Sequence, residues 1–343
     1  MVGKKLVYFG PGDIRIEEIE SILIPAEGEL LVKIDAASVC GSDIKSYRIG
    51  NPKMRIPITM GHEFSGTVID PIKVDGFQAG ERVTMATTIG CGNCYYCMRG
   101  KYNLCIEAKA MGFYYDGALA SYMIIPSNAI KRGNVVKITD DIPPEIAALS
   151  EPMSCVLNGL SRIPLNEVEN ALIIGMGAMG MLHGIALNEY GIEKIVFCGS
   201  EGIKKDIVSN LGFRTVSYEE LEQGYLDYSD NRGFDLIIIT VPNNKIQAAS
   251  PKYSSKGGFV SYFAGLPPID ELITISSRSL HYNELVYYGT SDSTAEHVRK
   301  AVDLLSKQRE RIKKIISIIP FKDVLGGMDS VIKKECAKIV VQP

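Results

Sequence analysis

A thiol, a hydroxyl, two carboxylates and an imidazole fall within one short stretch of this chain, at Cys40, Ser42, Asp43, His62 and Glu63. A catalytic zinc takes about three protein ligands of nitrogen, sulfur or oxygen type and keeps one position open for water or substrate. Cys40, His62 and Glu63 are of that type. A further carboxylate, Glu151, sits in the apolar run Ala147-Ala148-Leu149-Ser150-Glu151-Pro152. Burying an unpaired charge is costly, so Glu151 needs a partner there or must stay protonated, and a metal would be such a partner.

The second constellation is a run of thiols. Cys91-Gly92-Asn93-Cys94-Tyr95-Tyr96-Cys97 repeats a two-residue gap, and Cys105 follows after seven intervening residues. Four thiolates so spaced can turn inward on one tetrahedral ion, and a site with no open position is structural. Two disulfides or scattered free thiols are the plainer alternatives. Zinc bound by four thiolates carries a net charge of about −2, and Arg99 and Lys101 in the same loop are placed to offset it. The other cysteines, Cys155, Cys198 and Cys336, lie in apolar contexts and read as core fillers.

The elements that must carry these residues differ between the front and the middle of the chain. Leu30–Ala36 and Ser65–Ile69 read as buried strands on either side of the first constellation, with Tyr47–Lys53 as a mobile loop between them. Glycine and proline turns at 10–12, 25–28, 75–76 and 79–80 punctuate further short strands, so the front third is β-rich. Met111–Pro126 reads as a turn around Asp116-Gly117 followed by a strand. A helix is expected to start at Ile142-Pro143-Pro144-Glu145, capped by Asp141, and to carry Ala147, Glu151, Cys155 and Val156 on one continuous axis.

From Asn170 the pattern changes. The apolar run Ala171–Ile174 flows into Gly175-Met176-Gly177-Ala178-Met179-Gly180, then a segment of helical spacing, then a second apolar run, Lys194–Cys198. Glycine spacing alone is weak evidence, but strand, glycine turn, helix and strand in this order point to a dinucleotide-binding βαβ unit. Asp235–Thr240 and Gly258–Phe263 extend the parallel sheet, so residues 156–288 form a doubly wound α/β domain. An amphipathic helix after Ser293 and a strand at Ile339–Val341 close the chain.

Composition narrows the function. With 343 residues and 46% apolar content the chain can form two cores, and it has no apolar run near the ~20 residues of a membrane span. Its 37 basic and 40 acidic residues give no basic field for nucleic acid. Met1-Val2-Gly3-Lys4-Lys5-Leu6 leads into alternating residues without an export signal, so a cytoplasmic protein with reduced thiols and a small-molecule partner is expected, with no nucleic-acid or membrane partner.

Taken in order, Cys40-Gly41-Ser42-Asp43, Gly61-His62-Glu63, the four-cysteine loop and Gly175–Gly180 resemble the zinc-dependent medium-chain alcohol and polyol dehydrogenases over nearly the whole chain. Glu151-Pro152 and Arg278–Glu284 look closer to the sorbitol, sugar-alcohol-phosphate and threonine branch than to ethanol-type enzymes. The resemblance implies a β-rich GroES-like catalytic domain of residues 1–155 and 289–343, a Rossmann coenzyme domain of residues 156–288, and a cleft between them. It implies two zinc ions per chain, one held by Cys91, Cys94, Cys97 and Cys105. The other would be held by Cys40, His62 and a glutamate, Glu63 or Glu151, which exchange with water. Ser42 would take the alcohol proton and Asp43 would orient the imidazole, although turn chemistry alone would also explain both. Gly175, Gly177, Ala178, Met179 and Gly180 would meet NAD or NADP. Tyr47, Phe113 and Tyr114 fall where the substrate cleft is expected, or are packing.

Two departures from the family pattern stand out. Lys45 replaces the histidine that ends the proton relay in many relatives, leaving either a pyrophosphate contact or a relay through water. Gly199-Ser200-Glu201 replaces the acid that binds the adenosine ribose. Gly199, Ser200 and Tyr218 resemble NADP users, Lys204 and Lys205 would attract a phosphate, and Glu201 would repel it, so both coenzymes stay open. His183 reads as a packed histidine, and His281 and His297 as structural or surface residues. The expected reaction moves hydride between a secondary alcohol of a polyol, sugar or sugar-alcohol phosphate and NAD(P), in a homodimer or homotetramer. Threonine 3-dehydrogenase is the alternative enzyme, and a non-catalytic, zinc-stapled nucleotide-binding protein the alternative from another class.

Overall fold

The computed structural model describes residues 3–20, 23–71, 74–139 and 141–343; Met1 and Val2, which enter the N-terminal reading, lie outside the described residues. The chain divides into two compact units, Met1–Ser154 with Asp292–Pro343, and Cys155–Ser291.

In the first unit one sheet carries the chemistry. Its strands run in the spatial order Val135–Lys137, Arg82–Met85, Glu63–Asp70, Leu30–Ser38, Lys338–Gln342 and Ile316–Pro320, with Tyr122–Ile125 also paired to Leu30–Ser38. Leu30–Ser38 is buried along almost its whole length, as its near-continuous apolar sequence requires of a central strand. Its antiparallel register pairs Ser38 with Glu63 on one side and with Val340 on the other. The final strand is therefore brought against the segment that leads into Cys40. Leu30, Val32, Phe64, Met85, Leu119, Met123 and Val341 are among the residues that close the core.

Three local expectations change here. Residues 47–49 are not loop but the end of a helix, Gly41–Ile49, nucleated by a reciprocal cap between Cys40 and Asp43. The expected helix from residue 142 is broken in two, Pro144–Ala147 and Ser150–Leu160. Asp141 does not cap it, because Pro143 occupies that position and the Asp141 carboxylate accepts from Thr139 at 2.5 Å and Ser306 at 2.7 Å instead.

The second unit is a six-stranded parallel sheet in the order Arg214–Val216, Lys194–Cys198, Asn170–Ile174, Phe234–Ile239, Ser254–Tyr262 and Val286–Tyr288. The first strand in sequence lies beside the second and the fourth, which is the strand order of a doubly wound dinucleotide fold. Leu172, Val196, Ile237 and Val260 belong to its buried core. Among the described residues no helix is long and apolar enough to cross a membrane.

Candidate active site

Cys40 is the N-cap of helix Gly41–Ile49. Its Sγ accepts from the backbone N–H of Ser42 at 3.5 Å, and its own N–H donates to Asp43 Oδ2 at 2.9 Å. His62 and Glu63 arrive from the other side through Gly61, whose φ of +92° is a left-handed conformation. A Cβ on Gly61 would lie 2.6 Å from the backbone nitrogen of Leu119, so glycine lets the two segments close. The Cys40, His62 and Glu63 ligand atoms lie within 4.8 Å of one another. Ligands of a tetrahedral zinc at ~2.0–2.3 Å are roughly 3.3–3.8 Å apart, so a small inward movement would seat the ion.

The surroundings select how each group would present itself. His62 Nδ1 is buried without a hydrogen bond, 3.7 Å from Asp43 Oδ1, while Nε2 faces Ser42 Oγ at 3.5 Å. Asp43 thus combines its capping contact with a carboxylate placed beside the ring. Glu63 is 1% exposed, and its Oε2 accepts from Ser38 and from Lys338, the latter at 2.5 Å. One carboxylate oxygen is thereby anchored and the other left for a metal.

Burial opposes the charge on His62, but the Cys40 thiolate and then Asp43 outweigh it and hold its pKa well above 6.5. Burial likewise opposes the Lys338 charge, and Glu63 followed by Cys40 raises its pKa above 10.5. For Asp43, burial dominates and lifts its pKa above 3.8 against the pull of His62. Such an anionic, desolvated donor set fits a dication.

Glu151 lies in the first turn of helix Ser150–Leu160 and is buried. Its charge acts on both His62 and Lys338, yet it stands outside the Cys40–His62–Glu63 cluster. Ser42 is half-buried and Lys45 exposed on the same helix. Phe113 packs on the His62 ring, with centroids 5.4 Å apart.

The four thiols of Cys91, Cys94, Cys97 and Cys105 also lie within 4.8 Å of one another. Cys94 and Cys105 sulfurs are 3.8 Å apart, the edge length of a tetrahedron with metal–sulfur bonds of about 2.3 Å and far beyond a disulfide. The backbone N–H of Cys97 leads the interactions that bring the Cys94 thiol down to about 6. Arg99 does not face the sulfurs: its guanidinium lies 3.7 Å from the Tyr95 ring centroid. Arg132, from another part of the chain, reaches the loop instead and donates to the Cys91 carbonyl at 2.7 Å.

In the second unit the glycine turn meets the needs of a dinucleotide. Gly175 has φ +116°, and a Cβ on Gly180 would lie 2.0 Å from the Gly175 carbonyl oxygen. Around Gly177 there is nothing within 4 Å of such a Cβ, and helix Ala178–Glu189 starts there without a side-chain cap. Open space before uncapped N–H groups fits a pyrophosphate, with Ala178 and Met179 in the same first turn. Gly199 packs on Met176, Ser200 is exposed, and Glu201 pairs with Lys205 at 2.5 Å, which offsets its repulsion of a phosphate. Lys204 is half-buried on helix Ile203–Asn210, and Tyr218 is 39% exposed.

His183 is 1% exposed and its Nδ1 bonds the Met179 carbonyl at 2.7 Å. Burial lowers its pKa from 6.5 to about 4. Because the folded value is the lower one, the neutral ring stabilises the fold above about pH 6.5, and that contribution is lost as pH falls towards 4. Between pH 6.5 and 5 the loss is about 2 kcal/mol. Urea titrations should show this extra acid sensitivity relative to His183→Gln; equal sensitivity in the two proteins would refute it.

Residues 26–139 match the alcohol dehydrogenase GroES-like domain. L-threonine 3-dehydrogenase of Pyrococcus furiosus is 31% identical over 62% of this chain and 62% of its own length. Sorbitol dehydrogenase of Bacillus subtilis is 27% identical over 95% of this chain and 94% of its own. The chain thus carries an alcohol dehydrogenase GroES-like domain and is similar along most of its length to sorbitol dehydrogenase. The same fold recurs in solved structures. A zinc-binding dehydrogenase of Sinorhizobium meliloti, solved with NADP, superposes with a TM-score of 0.90 at 25% identity over 100% of both chains. An alcohol dehydrogenase of Thermotoga maritima also gives 0.90, at 21% identity over 100% of both, which speaks for the fold. The match to the first threonine dehydrogenases spans 62% of their length.

Two members of this site escaped sequence reasoning, Ser38 and Lys338. A lysine inside Cys336-Ala337-Lys338-Ile339-Val340-Val341 was the available signal, since a cation in a buried strand requires a buried anion.

Proposed function

We propose that the chain is a zinc-dependent oxidoreductase that moves hydride between a secondary alcohol of a polyol, sugar or sugar-alcohol phosphate and NAD(P). The observation that carries this reading is the convergence of Cys40, His62 and Glu63 with the unused side of Glu63 locked by Ser38 and Lys338. A purely scaffolding protein has no use for an open three-ligand centre. Cys40, His62 and Glu63, with Glu151 as the exchanging carboxylate, would hold a zinc ion, which would supply Lewis acidity towards a substrate hydroxyl. NAD(P) on the Gly175–Gly180 turn supplies the hydride acceptor.

The chain's own groups do the rest. Ser42 Oγ receives the hydroxyl proton and passes it to solvent. Asp43 holds the His62 ring so that Nε2, not Nδ1, faces the ligand position. Cys91, Cys94, Cys97 and Cys105 would hold a second, structural zinc. We further propose a cytoplasmic homodimer or homotetramer acting on a small molecule.

Likeness to threonine dehydrogenases favours one second reading, oxidation of the threonine hydroxyl by the same centre. Zinc content and NAD(P) reduction should be measured together on the purified protein, against sorbitol, galactitol, their phosphates and L-threonine. Two zinc ions per chain and turnover of a polyol or its phosphate are expected. Turnover of threonine alone would establish the second reading, and one zinc without turnover of any alcohol would leave only the scaffold.

A further inference from the structure

Beside the Cys40–His62–Glu63 centre lies a cationic platform that none of the chemistry above uses. Phe113 packs on the His62 ring, and its carbonyl accepts from the backbone N–H of Arg55 at 2.8 Å. The next residue, Tyr114, collects two cations: the Arg55 guanidinium lies 5.3 Å and the Lys109 ammonium 4.3 Å from its ring centroid. Both cations are exposed, and neither forms an ion pair among the described residues. A hydrogen bond from the Lys109 ammonium to the Tyr114 side chain is the leading influence on it, and Glu107 acts on it least.

The backbone beneath is well fixed. Tyr114 and Tyr115 both donate N–H groups to the Ala110 carbonyl, at 2.9 and 3.2 Å, and Lys109–Ala110 pairs with Thr88–Ile89. Tyr114 and Tyr115 meet edge to face with centroids 5.0 Å apart. Two like charges on one ring lie within about a Debye length (~10 Å at 0.1 M salt) and repel each other. An arrangement of that kind is relieved by an anion, and a guanidinium with an ammonium is a donor set suited to phosphate oxygens.

We propose that Arg55 and Lys109 bind the phosphate of a phosphorylated polyol whose hydroxyl is presented to the Cys40–His62–Glu63 centre. The assignment rests on the alcohol-oxidising reading above and narrows it to one substrate class: a sugar-alcohol phosphate monoester rather than a neutral polyol. Phe113 links the two places, touching His62 with its ring and the Arg55 backbone through its carbonyl. Arg55 and Lys109 are specificity-determining, not catalytic, because they meet the end of the molecule that does not react.

The test compares galactitol with galactitol 1-phosphate and sorbitol with sorbitol 6-phosphate on the zinc-loaded full chain, by steady-state kinetics and by calorimetric binding. KM and Kd for the esters should be at least ~10-fold below those for the parent polyols, by the strength of charge-assisted hydrogen bonds. In R55A/K109A that preference should fall ~10–100-fold, through KM and Kd far more than kcat, and should weaken as salt is raised. Ester and polyol binding alike, or an unchanged preference in the double variant, would overturn the proposal while leaving alcohol oxidation standing. Ester binding that depends on Arg55 and Lys109, without turnover of any alcohol, would support the anion site and refute the catalytic reading. If L-threonine is the ligand the double variant weakens, the site holds a carboxylate and the phosphate assignment is wrong.

Discussion

Cys40→Ser is expected to lower kcat by at least ~10³-fold while leaving the fold standing. The sulfur has two jobs that the substitution separates. As a ligand it is soft and anionic, and an alcohol oxygen is a poor replacement. As the N-cap of helix Gly41–Ile49 it is matched or bettered by serine, which belongs to the preferred capping residues and keeps the reciprocal Asp43 contact. The variant should therefore retain a wild-type melting temperature to within a few degrees and lose one zinc of two by elemental analysis. Cys94→Ser should behave in the opposite way. Removing one of four converging thiols dismantles a closed site whose metal binding contributes folding free energy, so its melting temperature should fall before activity per folded molecule does. Equal loss of folded protein in the two variants would contradict the division into an open and a closed centre.

Lys338→Met should destabilise the first unit by about 3–5 kcal/mol, the usual cost of leaving a buried ion-pair partner uncompensated. Glu63 is 1% exposed and Lys338 5%, so neither can turn to water without opening the sheet. Chemical denaturation of Lys338→Met, Glu63→Gln and the double variant measures the coupling. The double variant should recover most of the stability, because an amide facing a thioether carries no stranded charge, yet should stay impaired in metal binding for want of the Glu63 carboxylate. A Lys338→Met protein as stable as wild type would show that the pair is not what holds these strands together.

How far the site could be read without coordinates follows from how its parts are spaced. His62 and Glu63 are neighbours, Cys40 lies one helix and one loop before them, and the four thiols share a single loop, so type and interval identify them. The same holds for the Gly175–Gly180 turn, where local strand and helix patterns flank the glycines. Ser38 and Lys338 depend instead on strand register, with Ser38 opposite both Glu63 and Val340, and no local pattern encodes a pairing of that separation. Arg132 reaches Cys91 for a comparable reason. The helix at Gly41–Ile49 was hidden because a thiol is not counted among capping groups, although here it accepts an N–H like a serine. The pairing of Glu201 with Lys205, by contrast, was open to a reading of type and interval, since opposite charges four residues apart are a familiar pairing.

The lock between Glu63 and Lys338 also constrains the order of biogenesis. A nascent chain leaving the ribosome exposes Glu63 early, but its counter-charge is translated only after every strand of the nucleotide-binding unit. Until then the Glu63 carboxylate lacks the partner it meets in the finished sheet, so the Cys40, His62 and Glu63 cluster reaches its final form only when the last strand is in place.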